Sequence, residues 1–252
     1  MTNWVSYIDL MRSFVRLFPL ALILVAPASA DPLSDALAAT EAPVSLRVAF
    51  DVELTSAAAR QVFRFDPRWP EGRQWKLLED EGEDAFLDEV AATWGAEVAP
   101  DGRLFPDDLR ESIGDGLEID TIGPAQRLRF RHSPSANDGE FDIWAAERLS
   151  ATAWLSPEAG RFLRIDYALP RPVRGPEGGR LIRFDQSYFL ENDPEFGVSL
   201  ITAISVDFEA RGGFRRIAKN YRARILKAEV FFATREEETR FLSSRNALAS
   251  ES

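Results

Sequence analysis

Five apolar residues, Leu46, Val48, Phe50, Val52 and Leu54, fall on every second position, with Arg47, Asp51 and Glu53 among the residues between them. A period of two places alternate side chains on opposite faces, so this stretch predicts a strand with one dry face and one wet face. Such a strand needs neighbours on both edges and something apolar above it. The same pattern returns in Leu128 and Phe130 between Arg127, Arg129 and Arg131. It returns again in Leu149, Ala151, Ala153 and Leu155 and, with Thr202 as the one break, in Val198 to Phe208. Further strands are expected at 61–66, 74–79, 141–144, 162–169, 181–190 and, as one or two strands, 214–232. The turns between them are short and no helix of crossover length follows each strand, so the reading is an antiparallel sheet of nine or ten strands joined mostly by hairpins.

Helical spacing occurs in one clear place. Asp84 precedes Phe86, Leu87, Val90 and Trp94, an apolar stripe at helical period with an N-cap in front of it. Glu83, Asp84, Asp88 and Glu89 lie where the helix dipole favours carboxylates. A second short helix is expected from Pro106, with Asp107 and Asp108 at its start and Gly114 at its end. Thr234 and Glu237 have capping-box spacing, which makes the tail at 234–252 a candidate helix.

The first thirty residues read as a signal peptide. Arg12 and Arg16 precede the apolar run LFPLALILVAP, and Ala28-Ser29-Ala30 supplies a small-x-small cleavage pattern. Cleavage after Ala30 leaves 222 of the 252 residues. Either Met1 or Met11 can serve as the start. The expected destination is the periplasm, with no integral membrane segment once the leader is removed. The expected organisation is a linker at 31–43, one β domain at 44–233 with a helical insert at about 84–113, and the tail.

Composition narrows the chemistry. The chain has no cysteine and one histidine, His132. Zinc, copper and haem sites depend on those residue types, so no metal and no cofactor is expected. The acid-rich run LEDEGEDAFLDE does not match a calcium-loop pattern. A Ser–His–Asp triad would have to use His132, and no G-x-S-x-G elbow is present. His132 follows Leu128 and Phe130 in phase and is read as a structural residue at a strand end. The loop PRPVRGPEGG at 170–179 lacks the lysine and following helix of a phosphate loop. No catalytic residue is assigned; a hydrolase is the enzymatic alternative. Charge is uneven: residues 31–120 carry 22 acids against 8 bases, whereas 121–252 carry 18 against 20. The acidic half argues against nucleic acid as a partner.

Two candidate sites follow from the patterns. One is an apolar hollow on the dry face of a curved sheet, lined by Phe50, Trp75, Phe86, Val90, Trp94, Phe130, Trp144 and Trp154, with the 85–94 helix as a lid. The other is an anion-binding strip formed by Arg127, Arg129 and Arg131, whose bland reading is the wet face of an amphipathic strand. These suit a binder of an apolar or lipid-like ligand. The alternative is an envelope-assembly factor that engages a protein partner through its surface.

The leader, the early hairpin, the helical insert and the strand-rich second half together resemble the LolA/LolB-like superfamily of periplasmic half-barrels. The segment FRFDPRWPEGRQWKLLEDEGE, residues 63–83, is similar to one in uncharacterised exported proteins of Gram-negative bacteria with that architecture. The resemblance covers most of 44–233. It implies a mainly β fold, a curved antiparallel sheet or half-barrel with one or two helices over the concave face and lipid chains held beneath them. The chain departs from that pattern in its length and in the Pro/Gly loop at 170–179.

Overall fold

A computed structural model describes residues 32–96, 104–114, 116–133, 143–144, 146–175, 179–212 and 215–251. Residues 31–252 form one compact unit. Its framework is a single curved antiparallel sheet of eleven strands that does not close into a barrel. The strands are β1 (Leu46–Thr55), β2 (Ala59–Phe65), β3 (Trp75–Gly82), β4 (Glu118–Ile122), β5 (Ala125–Arg131), β6 (Ser150–Ser156), β7 (Arg161–Ala168), β8 (Val173–Arg174), β9 (Arg180–Asn192), β10 (Ser199–Gly212) and β11 (Arg215–Phe232). Their spatial order is β3-β2-β1-β11-β10-β9-β7-β6-β5-β4, with β8 paired to β9 outside that path. The helices are α1 (Pro32–Thr40), α2 (Ala85–Ala96), α3 (Leu109–Ser112) and α4 (Arg235–Glu251).

Cross-strand partners share a face of a sheet, so the registers can be followed from edge to edge. One row runs Asp80–Gln61–Leu54–Ala223–Ile204–Tyr188–Ile165–Ala153–Leu128–Ile119 through ten strands. The adjacent row runs Glu81–Arg60–Thr55–Arg222–Ser205–Ser187–Asp166–Thr152–Arg129–Glu118. The first is apolar except at the β3 end, and the second is polar throughout. The alternation first seen in β1 therefore organises the entire sheet, giving it an inner apolar face and an outer polar one. Register shifts at Asp51/Val52, Val62/Phe63, Trp154/Leu155, Ile201/Ala203 and Glu209/Ala210 mark β-bulges, which bend strands and sharpen their twist. At the β10 bulge the Ile201 N–H turns away and donates to the Leu104 carbonyl at 2.6 Å.

Two buried clusters occupy the inner face. The first joins β1 (Leu46, Val48, Phe50, Val52, Leu54) to β10 (Leu200, Ile204, Val206) and is covered by Leu87, Val90 and Trp94 of α2 together with Leu104 and Phe105. The second joins Leu128, Phe130, Ala151, Ala153, Phe162 and Ile165 and is covered by Ala36 of α1 and Leu109 of α3. Tyr188 packs against both. Asp84 caps α2 as expected, its Oδ1 accepting from the Phe86 N–H at 2.9 Å. Thr234 Oγ1 accepts from the Glu237 N–H at 3.3 Å and donates to Glu237 Oε2 at 3.0 Å, so the tail is the helix its capping spacing suggested.

Several expectations are corrected. The segment 31–43 is not a linker: α1 buries Ala36 and Thr40 completely, and the Ala42 N–H donates to Asp107 Oδ1 at 2.8 Å. Leu33, Ala36, Leu37 and Thr40 already had helical spacing, in a stretch too short to stand out. β4 was not anticipated, because EIDTI lies at the sheet edge and never needed a buried face. The strand expected at 74–79 runs on to Gly82, which pairs with Ala59. Ile143 and Trp144 lie in a helical turn rather than a strand, and Phe141 and Asp142 fall outside the described residues. The helix expected from Pro106 is one turn, with no side-chain bond from Asp108. Described from Arg215, the stretch expected at 214–232 is the single strand β11, which joins β1 to β10.

Candidate functional site

The residues expected to line a hollow are brought together only in part. Phe50, Trp75, Val90 and Trp94 meet in the first cluster, where Trp75 lies 5.6 Å from Phe50, 4.9 Å from Phe65 and 6.3 Å from Trp94 between ring centroids. Phe50, Val90 and Trp94 are buried, so at this end the apolar face is filled by the protein's own side chains. Phe86 sits at the margin, 5.8 Å from Tyr221, with the Lys219 ammonium 4.0 Å above its ring. Phe130 belongs to the second cluster. Trp154 is on the outer face, because it lies between the inward-facing Ala153 and Leu155. There its Nε1 donates to Asp166 Oδ2 at 3.0 Å and Arg164 stacks 5.4 Å from its ring. Trp144 lies beside Arg148 and outside both clusters. Neither tryptophan lines the hollow.

Along the margins of both clusters runs a strip that the sequence reading missed. Tyr221, Val206, Gln186 and Tyr167 form one inner row, and Lys219, Phe208 and Phe184 form the next. Phe86, Tyr167, Phe184, Tyr188, Phe208 and Tyr221 are all half-buried. Here β9, β10 and β11 run on past the helical cover. Gln186 Nε2 donates to Tyr188 Oη at 2.7 Å, and Tyr167 stands edge-on to Tyr188 at 6.1 Å. The signal was present, since Phe184, Gln186, Tyr188 and Leu190 alternate, but no exposure could be read from it.

Helix α2, which covers the first cluster, is tied to the sheet by polar contacts. Gln61, buried on the inner face of β2, donates through Nε2 to Asp88 of α2 at 2.7 Å and to Asp80 of β3 at 3.3 Å. Lys219 reaches Glu89 at 3.4 Å. The acids of the early run thus have structural work: Asp84 caps, Asp88 and Glu89 tether.

The arginine strip is largely neutralised. Arg127 pairs with Asp120 at 2.8 Å, and Arg129 pairs with Glu118 at 2.9 Å and with Asp120 at 3.1 Å. The Arg127 hydrogen bond is the main cause that holds the Asp120 carboxyl below its ordinary range. Arg131 has no acidic partner among the described residues. The outer face also carries an arginine fork: Arg68, in the loop after β2, binds Asp66 at 2.8 Å and reaches across β1 to Glu229 of β11 at 2.8 Å. Both carboxyls are depressed, chiefly by the Arg68 hydrogen bond.

His132 bridges Ile113 and sets its ring edge-on to Tyr167 at 4.9 Å. Burial pushes the Tyr167 hydroxyl up to about 12, a value partly lowered by its bond to Ser112. Ser112 is itself buried, with its hydroxyl donating to the Leu109 carbonyl at 2.9 Å. At neutral pH this group offers a proton-bearing phenol under a packed helix turn. Among the described residues, no three or more His, Cys, Asp or Glu side chains are grouped to hold a metal, and no helix is long and apolar enough to cross a membrane.

Fold and site define an open antiparallel sheet with helices packed on its apolar face and a half-buried aromatic strip along that face. Comparison with protein-family models, curated proteins and solved structures finds no match for this chain.

Proposed function

We propose that this chain is a non-enzymatic periplasmic binding protein for an apolar or lipid-like ligand, such as an acyl chain, held on the inner face of the sheet. One observation carries the reading: six aromatic side chains, Phe86, Tyr167, Phe184, Tyr188, Phe208 and Tyr221, are half-buried along one stretch of the inner face. Each methylene placed against such a surface contributes about 0.8 kcal/mol, so a long chain can be held with few polar contacts. The ties from Gln61 and Lys219 to α2 leave the helix as a cover that loosens without unfolding the sheet. The test is native mass spectrometry and lipid extraction of protein purified from its own periplasm, followed by titration with a fluorescent fatty acid. Phe184→Ala and Phe208→Ala should each weaken that binding about tenfold. Protein that carries no ligand and binds no acyl chain would end this reading.

The alternative is an envelope-assembly factor with a protein partner. It is favoured by the two sheet edges, where Leu77 and Leu78 on β3 and Ile119 and Ile122 on β4 are exposed on strands with one free side. Capture of one envelope protein, lost on Ile119→Lys, would favour it over ligand binding.

A further inference from the structure

The tips of β8, β9, β10 and β11 carry a row of like charges. Arg174 of β8 pairs with Arg180 of β9, Arg180 with Arg211 of β10, and Arg211 with Arg216 of β11. Four guanidinium groups therefore stand side by side in one cross-strand row on the outer face, spanning about 14 Å at the spacing of neighbouring strands. Like charges directly opposite each other destabilise a sheet. All four are exposed. Only Arg216 has an acidic partner among the described residues, Glu209 at 2.8 Å; Arg174, Arg180 and Arg211 have none. One row inward, Arg183 is matched to Asp207 at 2.7 Å.

We infer that this row is a docking surface for the phosphate groups of an anionic phospholipid bilayer. Several features favour a bilayer over other anions. The row is exposed and laid across four strands, which suits a plane bearing many phosphates, whereas a single phosphate is gripped by converging donors. On the other side of the same tips lies a row of Ile217, Ala210, Leu181 and Val173, of which Ile217 is 45% exposed and free to enter the headgroup boundary. The chain as a whole carries a net charge of −11, with its acids concentrated in residues 31–120. A polyanion that wraps the protein would meet those acids, but a surface touched only by the strand tips would not. The inference stands independently of the ligand proposed above. If both hold, the tips bring the aromatic strip to the membrane that supplies or receives an acyl chain.

The experiment is flotation of residues 31–252 with phosphatidylcholine vesicles, with and without phosphatidylglycerol, over a range of salt. Binding should require phosphatidylglycerol and fall as salt rises. Each arginine should contribute about fivefold, so a variant combining Arg174→Gln, Arg180→Gln and Arg211→Gln should lose on the order of 100-fold. A control combining Arg222→Gln, Arg235→Gln and Arg240→Gln should bind as the parent does. Circular dichroism establishes that each variant is folded. Without vesicles, Arg211→Gln should raise Tm at low ionic strength, because it removes two like-charge neighbours. Four results would overturn the inference: no binding to anionic vesicles, equal loss in the control, binding only to inorganic phosphate or a duplex oligonucleotide, or a fall in Tm for Arg211→Gln. Vesicle docking with no acyl-chain affinity leaves the docking surface standing and removes the ligand reading.

Discussion

At the scale of single residues, Gly82 shows how a position that resembles a turn serves a strand. It has φ +80°, and a Cβ placed there would lie 2.2 Å from the Ala58 carbonyl oxygen. The β2–β3 ladder ends where the backbone must pass too close for any side chain. Gly82→Ala should therefore destabilise the protein by about 2–4 kcal/mol, read as a lower urea midpoint with unchanged slope. Asp66 illustrates a second residue-scale device. It is 4% exposed and its carboxylate is held below its ordinary range by Arg68. A depressed folded-state pKa adds stability at pH values above the unfolded value near 3.9, and that stability disappears as pH falls through the folded value. Asp66→Asn should cost about 1 kcal/mol at pH 7, since Arg68 is half-exposed and partly screened. Urea titrations of both proteins should converge as pH falls through that folded value. A cost that persists undiminished at that pH would assign the effect to packing rather than charge. Pro67 and Pro70, between the strands expected at 61–66 and 74–79, made the loop after Asp66 legible in the sequence. The reach of Arg68 to Glu229, 161 positions away, was not legible, because nothing local specifies a partner that distant.

At the scale of elements, α2 is held over the first cluster by a short set of contacts. Its buried anchors are Leu87, Val90 and Trp94, and its polar ties are Gln61–Asp88 and Lys219–Glu89. By contrast, α1 and α3 are laced together through Ala42–Asp107 and Glu41–Arg110. Gln61→Ala should raise amide exchange across 85–96 by about an order of magnitude while leaving 32–40 unchanged, measured by hydrogen–deuterium exchange. Uniform acceleration of both helices would show that Gln61 supports the whole sheet and not the cover. This element was readable because its stripe had helical period and a cap. The lining of the hollow was less so. Trp154 sits between Ala153 and Leu155, so parity alone assigns it to the wet face, and grouping tryptophans by size hid that. Phe184 and Tyr188 have the right parity, but their half-burial depends on how far β9 runs beyond the helices, a tertiary fact with no local trace.

At the scale of the molecule, β11 decides whether there is one folding unit or two. It pairs with β1 on one side and β10 on the other, and so joins the early hairpin to the later meander through contacts about the full length of the domain apart. Loop closure over such distances opposes folding until long-range pairs form, which makes partial structures poor in stability and the transition slow. The two buried clusters lie on one continuous face and share Tyr188, so neither is closed off while the other is unfolded. The expected outcome is one cooperative transition. Two variants with a single tryptophan each, Trp94 in the first cluster and Trp154 on the strands of the second, should report the same urea midpoint as far-UV circular dichroism. Separate midpoints would divide the molecule at the β9–β10 junction. They would also mean that the aromatic strip is a seam between two independently stable halves, not an uncovered stretch of a single face.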